Sequence, residues 1–192
     1  MKFENIDGRP QPSHRTAGWN EVEAAIRTAI PPETLKGNLL YAGALYGLAV
    51  VEQPKIVVEI GAQFGVSARV WLAAGAELVH SYDIDPKCAE MLLGPRWCFH
   101  LGRSQDITPV ACDLLYVDGD HSYEAVCSDM ARHGPPVRDG GLVILDDYHR
   151  GWPGKTRWID ERWAELDPII IGPTAVVRVT SAKRELFGKV FP

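Results

Sequence analysis

The chain has 192 residues and a net charge of −5, with 46% hydrophobic and 23% charged residues. This composition is typical of a soluble globular protein that is long enough for one domain with a full-sized core. The acidic balance argues against nucleic acid or an anionic membrane surface as the main partner, and no apolar stretch approaches the roughly 20 residues of a membrane span.

The N-terminal segment differs from the rest of the chain. Residues 1–18 are polar and rich in proline and glycine, so we predict a flexible arm there and a single domain over residues 19–192. This segment has no apolar core of the kind that a secretory signal requires. Asn20 is placed to cap a helix over residues 21–30, which Pro31 and Pro32 end. A second, largely apolar helix over residues 39–51 is expected to pack on a sheet and could form a homodimer contact.

From residue 55 onward, strand and helix patterns alternate. The predicted strands are residues 55–60, 78–82, 97–101, 113–117 and 141–145, and the predicted helices between them are residues 67–74, 86–93 and 123–133. Near-continuous apolar strands spaced by helices indicate a parallel sheet covered on both faces. Residues 169–171 and 175–180 flank a Gly-Pro turn and predict an antiparallel hairpin. The expected fold class is α/β, a Rossmann-like, doubly wound, mostly parallel seven-stranded sheet with a C-terminal antiparallel hairpin.

The cysteines carry little functional information. The four of them are scattered, with no Cys-x-x-Cys pair, at Cys88, Cys98, Cys112 and Cys127. This spacing favours reduced thiols over a disulfide framework or a zinc site, and we therefore expect a cytoplasmic protein.

A glycine turn directly follows the first predicted strand. Ligands of open α/β sheets bind where the first strand turns into the first helix, and Gly61 and Gly65 would let the backbone approach one closely. Ser67 and the free N–H groups of the helix start can bind a carboxylate, and Asp83 can accept from both hydroxyls of a ribose. The chain lacks the Gly-x-Gly-x-x-Gly of a dinucleotide site. The alternative is a tight turn without a ligand, with Glu59 as a solvated strand end.

Three segments here resemble the class I S-adenosylmethionine-dependent methyltransferases. Residues 57–68 read Val-Val-Glu-Ile-Gly-Ala-Gln-Phe-Gly-Val-Ser-Ala, which resembles the first motif of the catechol-type and macrocin-type O-methyltransferases. Residues 82–86 are similar to their ribose-binding acidic segment, and residues 102–106 to the adenine-side loop of the catechol type. The resemblance implies that Asp83 binds the ribose. It also implies cofactor contacts at the methionine side from Glu59, Gly61 and Ser67, at the adenine side from Ser104 and Gln105, and elsewhere from Ala62, Gly65, Ile84 and Asp118.

Aspartates follow two neighbouring strands of the predicted sheet. Asp118 and Asp120 follow the fourth strand, and Asp146 and Asp147 follow the fifth. Neighbouring strands lie about 4.8 Å apart, so these carboxylates can converge on a hard cation such as Mg²⁺, Mn²⁺ or Ca²⁺. Consecutive residues of a strand point to opposite faces, so Asp146 and Asp147 can share a cation only where the strand has turned. Alternatively these aspartates are solvated strand ends, or Asp120 or Ser122 caps the helix after them.

The same aspartates carry a second resemblance. Residues 118–123 (Asp-Gly-Asp-His-Ser-Tyr) and 142–147 closely resemble the macrocin-type, sugar-tailoring O-methyltransferases and are similar to cephalosporin-hydroxylase-like relatives. This implies a Mg²⁺ site at Asp118, Asp146 and Asp147, with Asp120 as the general base. The catechol type has lysine where this chain has His121, which leaves the base open between Asp120 and His121. His121 could equally be a hydrogen-bonded structural histidine.

These patterns together favour one function and leave alternatives. We expect S-adenosylmethionine- and divalent-metal-dependent methyl transfer to a small-molecule hydroxyl, on a sugar, natural product or catechol-like acceptor. His149 and Trp152 are candidates for the acceptor site, whereas Trp158 and Trp163 are expected to pack on the sheet. The alternatives are a metal-independent methyltransferase, a non-catalytic cofactor-binding module and, less favoured, a nicotinamide oxidoreductase.

Overall fold

The sheet follows the strand pattern of the sequence. The computed structural model of the protein describes residues 18–30, 38–91, 93–148 and 151–189. Its strands are β1 (Ile56–Ile60), β2 (Leu78–Asp83), β3 (Trp97–Leu101), β4 (Cys112–Val117), β5 (Val137–Leu145), β6 (Ile169–Ile171) and β7 (Thr174–Arg178). They form one sheet in the order β3-β2-β1-β4-β5-β7-β6, in which the first five are parallel and β7 is antiparallel to β5 and β6. The predicted fold class, including the C-terminal hairpin, is confirmed.

Helices cover both faces of this sheet. They are α1 (Trp19–Ala29), α2 (Asn38–Glu52), α3 (Val66–Ala73), α4 (Tyr123–His133), α5 (Pro153–Asp160), α6 (Trp163–Leu166) and α7 (Ser181–Leu186). No helix among the described residues is long and apolar enough to cross a membrane. The predicted arm lies outside the described residues except for Gly18, as do Pro31, Pro32 and His149.

Two helix predictions need correction. Asn20 lies inside α1, and Gly18 is its N-cap, where the Gly18 N–H donates to Glu21 Oε2 at 3.3 Å. The helix predicted over residues 86–93 is a short 3₁₀ helix, Pro86–Met91, preceded by an Asx-turn in which Asp85 Oδ1 accepts from the Lys87 N–H. Local side-chain hydrogen bonds of this kind compete with a regular α-helix.

The alternation of side chains along the central strands builds two cores. On β4, Leu114 and Tyr116 pack with Trp71 on the face that α1, α2 and α3 cover. Leu115 and Val117 point to the opposite face, where buried side chains of α4, α5 and α7 lie. Strand order reverses between β1 and β4, so the carboxyl ends of these strands form the crevice where ligands of this architecture bind.

Candidate functional site

A cavity of about 790 Å³ lies at the carboxyl ends of the central strands. Its lining combines residues of the glycine turn, the acidic segment after β2 and the aspartate cluster. The predicted site residues among its lining are Gly61, Asp83, Ile84, Ser104, Gln105, Asp118, Asp120, His121, Asp146 and Asp147. A neighbouring cavity of about 60 Å³ is lined by Ala62 and Ser67. The structure therefore brings the two predicted clusters to one crevice.

The glycine turn fits against the end of β4. Gly61 has a φ of 92°, and a Cβ there would overlap the carbonyl oxygen of Asp118. The Asp118 N–H in turn donates to the Ile60 carbonyl at 2.8 Å. Gly65, with a φ of 67°, is the N-cap of α3, and a Cβ there would meet the Met91 sulfur. Close packing against backbone therefore requires glycine at position 61 and places the turn beside Asp118, whereas at position 65 the positive φ favours glycine.

Asp83 anchors this turn from the neighbouring strand. Its Oδ2 accepts from the Ala62 and Gln63 N–H groups, each at 2.9 Å, and its Oδ1 accepts from the Asp85 N–H at 2.9 Å. Partial burial raises the pKa of Asp83, but the three backbone donors together bring it below its ordinary value. Asp83 thus places an ionised carboxylate at the cavity wall.

Glu59 lies beneath the turn with 0% of its surface exposed. It accepts hydrogen bonds from Ser81 Oγ at 2.5 Å and Trp71 Nε1 at 3.2 Å. Burial raises the pKa of Glu59 to about 7, and hydrogen bonds from Ser81, Ser67 and Trp71 oppose that rise. The alternative that Glu59 is a solvated strand end is wrong.

Ser104 and Gln105 are held by a residue that the sequence analysis did not identify. Asp129 of α4 is 1% exposed, and its Oδ1 accepts from Ser104 Oγ at 2.5 Å and from Gln105 Nε2 at 2.8 Å. Burial raises the pKa of Asp129 to about 6. Its position in the sequence could have indicated that Asp129 is buried, because it falls on the same helical face as the buried Val126 and His133.

The aspartate cluster divides between two environments. Asp118, His121 and Asp147 each offer one ligand atom, and these atoms lie within 4.8 Å of one another. Asp147 has a φ of 59°, so the chain has already turned there. Asp146 instead accepts from the Tyr116 hydroxyl at 2.6 Å and from Thr174 Oγ1 at 2.9 Å. Of the three predicted metal ligands, Asp118 and Asp147 converge with His121, while hydroxyl groups hold the carboxylate of Asp146.

This trio fits a divalent cation. The two carboxylates suit Mg²⁺ or Mn²⁺, whereas the imidazole nitrogen favours a transition-metal ion. His121 Nδ1 is buried without a hydrogen-bond partner among the described residues, and His121 Nε2 lies 3.8 Å from Asp147 Oδ2. Burial lowers the pKa of His121 to about 4, so its imidazole is neutral at neutral pH and able to coordinate.

A buried lysine, also absent from the predictions, completes the cluster. Lys155 of α5 is 0% exposed, and its Nζ donates to Asp118 Oδ1 at 3.2 Å and to the Val117 carbonyl at 3.3 Å. Burial raises the pKa of Asp118 to about 7; the positive charge of Lys155 opposes this rise, while Asp146 and Asp147 add to it. Its spacing in the sequence could have indicated that Lys155 is buried, because it shares a helical face with the buried Trp158 and Ile159.

Asp120 lies at the exposed rim of the site. Its Oδ1 accepts from the Ser122 N–H at 2.8 Å, and hydrogen bonds from Ser122 lower the pKa of Asp120. Ser122 is the N-cap of α4, with its Oγ accepting from the Ala125 N–H at 3.3 Å. Asp120 therefore shapes the turn into α4 and also faces the cavity.

A further cavity, of about 620 Å³, meets the first at Asp120 and His121. The Trp152 ring lies 4.5 Å from the His121 ring and is 46% exposed, so it offers an indole surface to this space. The Arg157 guanidinium lies 4.0 Å over the ring of Tyr123 on the far wall. The expectation for Trp158 is confirmed by its full burial, but Trp163 is 43% exposed and does not pack into the core as predicted.

Two comparisons with known protein sequences match parts of the chain. Residues 58–148 match a family model described as a methyltransferase domain. A 43-residue segment is 40% identical to uncharacterized protein R132 of Acanthamoeba polyphaga mimivirus, which covers 22% of this chain and 20% of that protein. The chain thus matches about a fifth of the length of this curated relative.

Solved structures resemble most of the chain. SAH-bound methyltransferase PaMTH1 of Podospora anserina superposes with a TM-score of 0.62 at 18% identity, over 85% of this chain and 88% of PaMTH1. MycE, a methyltransferase of the mycinamycin biosynthetic pathway in complex with Mg and SAH, gives 0.60 at 18% identity, over 85% of this chain and 55% of MycE. An O-methyltransferase from Bacillus cereus in complex with SAH gives 0.59 at 15% identity, over 84% of this chain and 90% of that enzyme. At such identities these superpositions establish a shared fold.

Proposed function

We propose that the protein moves the methyl group of S-adenosylmethionine to a hydroxyl oxygen of a small molecule, on the strength of the match between residues 58–148 and a family model described as a methyltransferase domain. The observation that carries the proposal is one cavity whose wall joins the glycine turn and Asp83 to Asp118, His121 and Asp147. Donor and acceptor sites would then meet at the carboxyl ends of β1 and β4, as ligand sites do in this architecture.

The donor side would use the residues around the glycine turn. Gly61 lines the main cavity, where the methionine part of the donor can approach its backbone. Asp83 offers an ionised carboxylate to the ribose hydroxyls, since its pKa lies below the ordinary value. Asp129 holds Ser104 and Gln105 in place for the adenine.

The acceptor side would use the cluster of Asp118, His121 and Asp147, which can hold a divalent cation. Such an ion, when bound, supplies a Lewis acid that lowers the pKa of a hydroxyl group. Asp118, His121 and Asp147 are partly buried, and partial burial strengthens the electrostatic interactions within the cluster. Holding the two reactants in the correct orientation would further increase the rate of methyl transfer.

Two residues are placed to take up the hydroxyl proton. Asp120 and His121 line both large cavities, so each can reach an acceptor that lies between them. His121 is neutral near pH 7 and also belongs to the proposed cation site, while Asp120 is ionised and exposed. We propose that this pair contains the general base, and the pH–rate profiles of His121→Gln and Asp120→Asn separate the two roles.

The acceptor would lie in the cavity of about 620 Å³. The exposed indole of Trp152 gives a flat apolar surface beside His121, which suits a sugar or aromatic ring. The positive charge of Arg157 is offset by Glu161, whose Oε1 accepts from Arg157 Nε at 2.7 Å. A neutral hydroxylated ring is therefore the acceptor that this wall favours.

The direct test is methyl transfer from labelled S-adenosylmethionine to a panel of sugars, phenols and catechols, with Mg²⁺ or with chelator. Asp118→Asn should lower turnover at least a hundredfold, because it removes a charged ligand, while the affinity for S-adenosylhomocysteine (SAH) changes little. The matched control is Asp167→Asn, at an exposed left-handed position after α6.

Each outcome has a clear meaning. Equal turnover by the wild type and Asp118→Asn, with chelator present, would remove the metal from the mechanism. Tight SAH binding without transfer to any acceptor would instead indicate a non-catalytic cofactor-binding module.

A further inference from the structure

The carboxylate cluster contains a cation of its own. The Lys155 side chain is fully buried and donates to Asp118 Oδ1 at 3.2 Å. It also donates to the carbonyl of Val117, the last residue of β4, at 3.3 Å. The ammonium therefore lies at the strand end that delivers Asp118, and the proposed methyl transfer assigns it no role.

Packing fixes this ammonium in place. Lys155 follows Gly154, where a Cβ would overlap the His121 carbonyl and the Tyr123 backbone nitrogen. The next turn of α5 buries Trp158 and Ile159 completely. Because α5 is seated this closely on the turn after β4, Lys155 cannot swing out to solvent without moving the helix.

Two cations would then share one carboxylate. A carboxylate has two oxygens, so Asp118 can accept from Lys155 and still offer an oxygen to a divalent ion. The two positive charges would lie a few ångströms apart in a partly buried site, where like charges repel more strongly than in water. The ammonium also offsets part of the negative charge that would otherwise attract the ion.

We propose that Lys155 is a resident cation of this cluster, which holds Asp118 in position and weakens the binding of the divalent ion. The inference rests on the proposed function, since that places a divalent ion at Asp118, His121 and Asp147. It makes Lys155 a positioning residue that sets the affinity of the site for the ion. Replacing its charged end by an apolar group of similar length should therefore tighten ion binding.

The experiment measures the Mn²⁺ affinity of the full chain by electron paramagnetic resonance and calorimetry, without cofactor, at pH 8.5 to limit competition by protons. Lys155→Met is expected to lower the Kd for Mn²⁺ at least tenfold. The matched control is Lys55→Met, which removes an exposed lysine at the amino end of β1 and changes the net charge equally. Its Kd should equal that of the wild type.

An unchanged or higher Kd in Lys155→Met would overturn the inference, as would equal tightening by Lys55→Met or no Mn²⁺ binding by any variant. Thermal unfolding and SAH binding check that Lys155→Met is folded. If it is not, Lys155→Gln, which keeps a hydrogen-bond donor without the charge, replaces it in the experiment. Methyl transfer by the wild type is measured separately. An active enzyme with one Kd in all variants would refute the role of Lys155 and leave the proposed function standing.

Discussion

Glu59 is a carboxyl group whose ionisation is coupled to the stability of the fold. It has no exposed surface, and its pKa is raised to about 7, so near neutral pH the protein holds a carboxylate in a place that disfavours its charge. Native proteins retain such groups mostly where a ligand or reaction uses them. In the free protein the ionisation of Glu59 therefore costs stability.

The pH dependence of stability tests this account in the free protein. Because the folded-state pKa of Glu59 exceeds its unfolded value, its contribution is most favourable below about 4.5, falls as the pH rises to about 7, and then stays constant. Glu59→Gln cannot ionise, so its free energy of unfolding should gain about 2 kcal/mol relative to wild type between pH 5.5 and pH 8. Chemical denaturation at both pH values measures the difference.

The control for that experiment is Glu165→Gln, at an exposed position of α6. Its denaturation curves should shift in parallel with those of the wild type. If the free energy of unfolding of Glu59→Gln changed with pH by the same amount as that of the wild type, Glu59 would not titrate between pH 5.5 and pH 8.

The convergence of Asp118 and Asp147 could be expected from the sequence, because Asp118 directly follows β4 and Asp147 lies two residues beyond the end of the neighbouring strand β5. Lys155 and Asp129 sit on helices, where charged residues are ordinarily solvated. Their roles depend on partners 37 and 25 residues away in sequence, which no local pattern reveals.

At the scale of the element, α5 is the piece that brings the site together. It carries Lys155 to Asp118, and Trp152 directly precedes it beside His121. Gly154 permits this, since its backbone touches the turn between β4 and α4. The position of α5 therefore determines whether the Lys155 charge reaches the carboxylate cluster. It also determines the shape of the cavity of about 620 Å³.

Gly154→Ala should consequently lower the free energy of unfolding by about 1–3 kcal/mol, the usual cost of overpacking. Methyl transfer should fall as well, because the helix must move. The matched control is Gly47→Ala in α2, where a Cβ meets nothing within 4 Å. There we expect a gain of about 0.5–1 kcal/mol from better helix propensity. Chemical denaturation measures both, and a Gly154→Ala protein as stable as the wild type would contradict the close seating of α5.

The elements were predictable to the extent that their pattern was continuous. β3 and α4 have the predicted bounds, because an apolar run and a capped amphipathic segment mark them. β5 begins at Val137, four residues before the predicted start, because Gly140 and Gly141 interrupt its pattern. Pairing with Val179 restores the strand there, and such pairing is a tertiary contact that local sequence does not encode.

For the whole molecule, cofactor binding should appear as added stability. A ligand that binds only the folded state at a hundred times its Kd stabilises it by about 2.7 kcal/mol. For a domain of this size SAH should therefore raise the Tm by about 5–10 °C. NADH at the same concentration should leave the Tm unchanged, because the chain lacks the third glycine of a dinucleotide site. Differential scanning fluorimetry makes the comparison, and a shift with NADH alone would favour the oxidoreductase.

The two large cavities touch only where Asp120 and His121 form part of both linings. Both cavities are open to solvent, so a methyl donor bound in the first would leave the second accessible to an acceptor. The proposed function then predicts that the two reactants bind in either order. Each reactant would enter its own cavity from solvent. The methyl group would pass between them only at the boundary formed by Asp120 and His121.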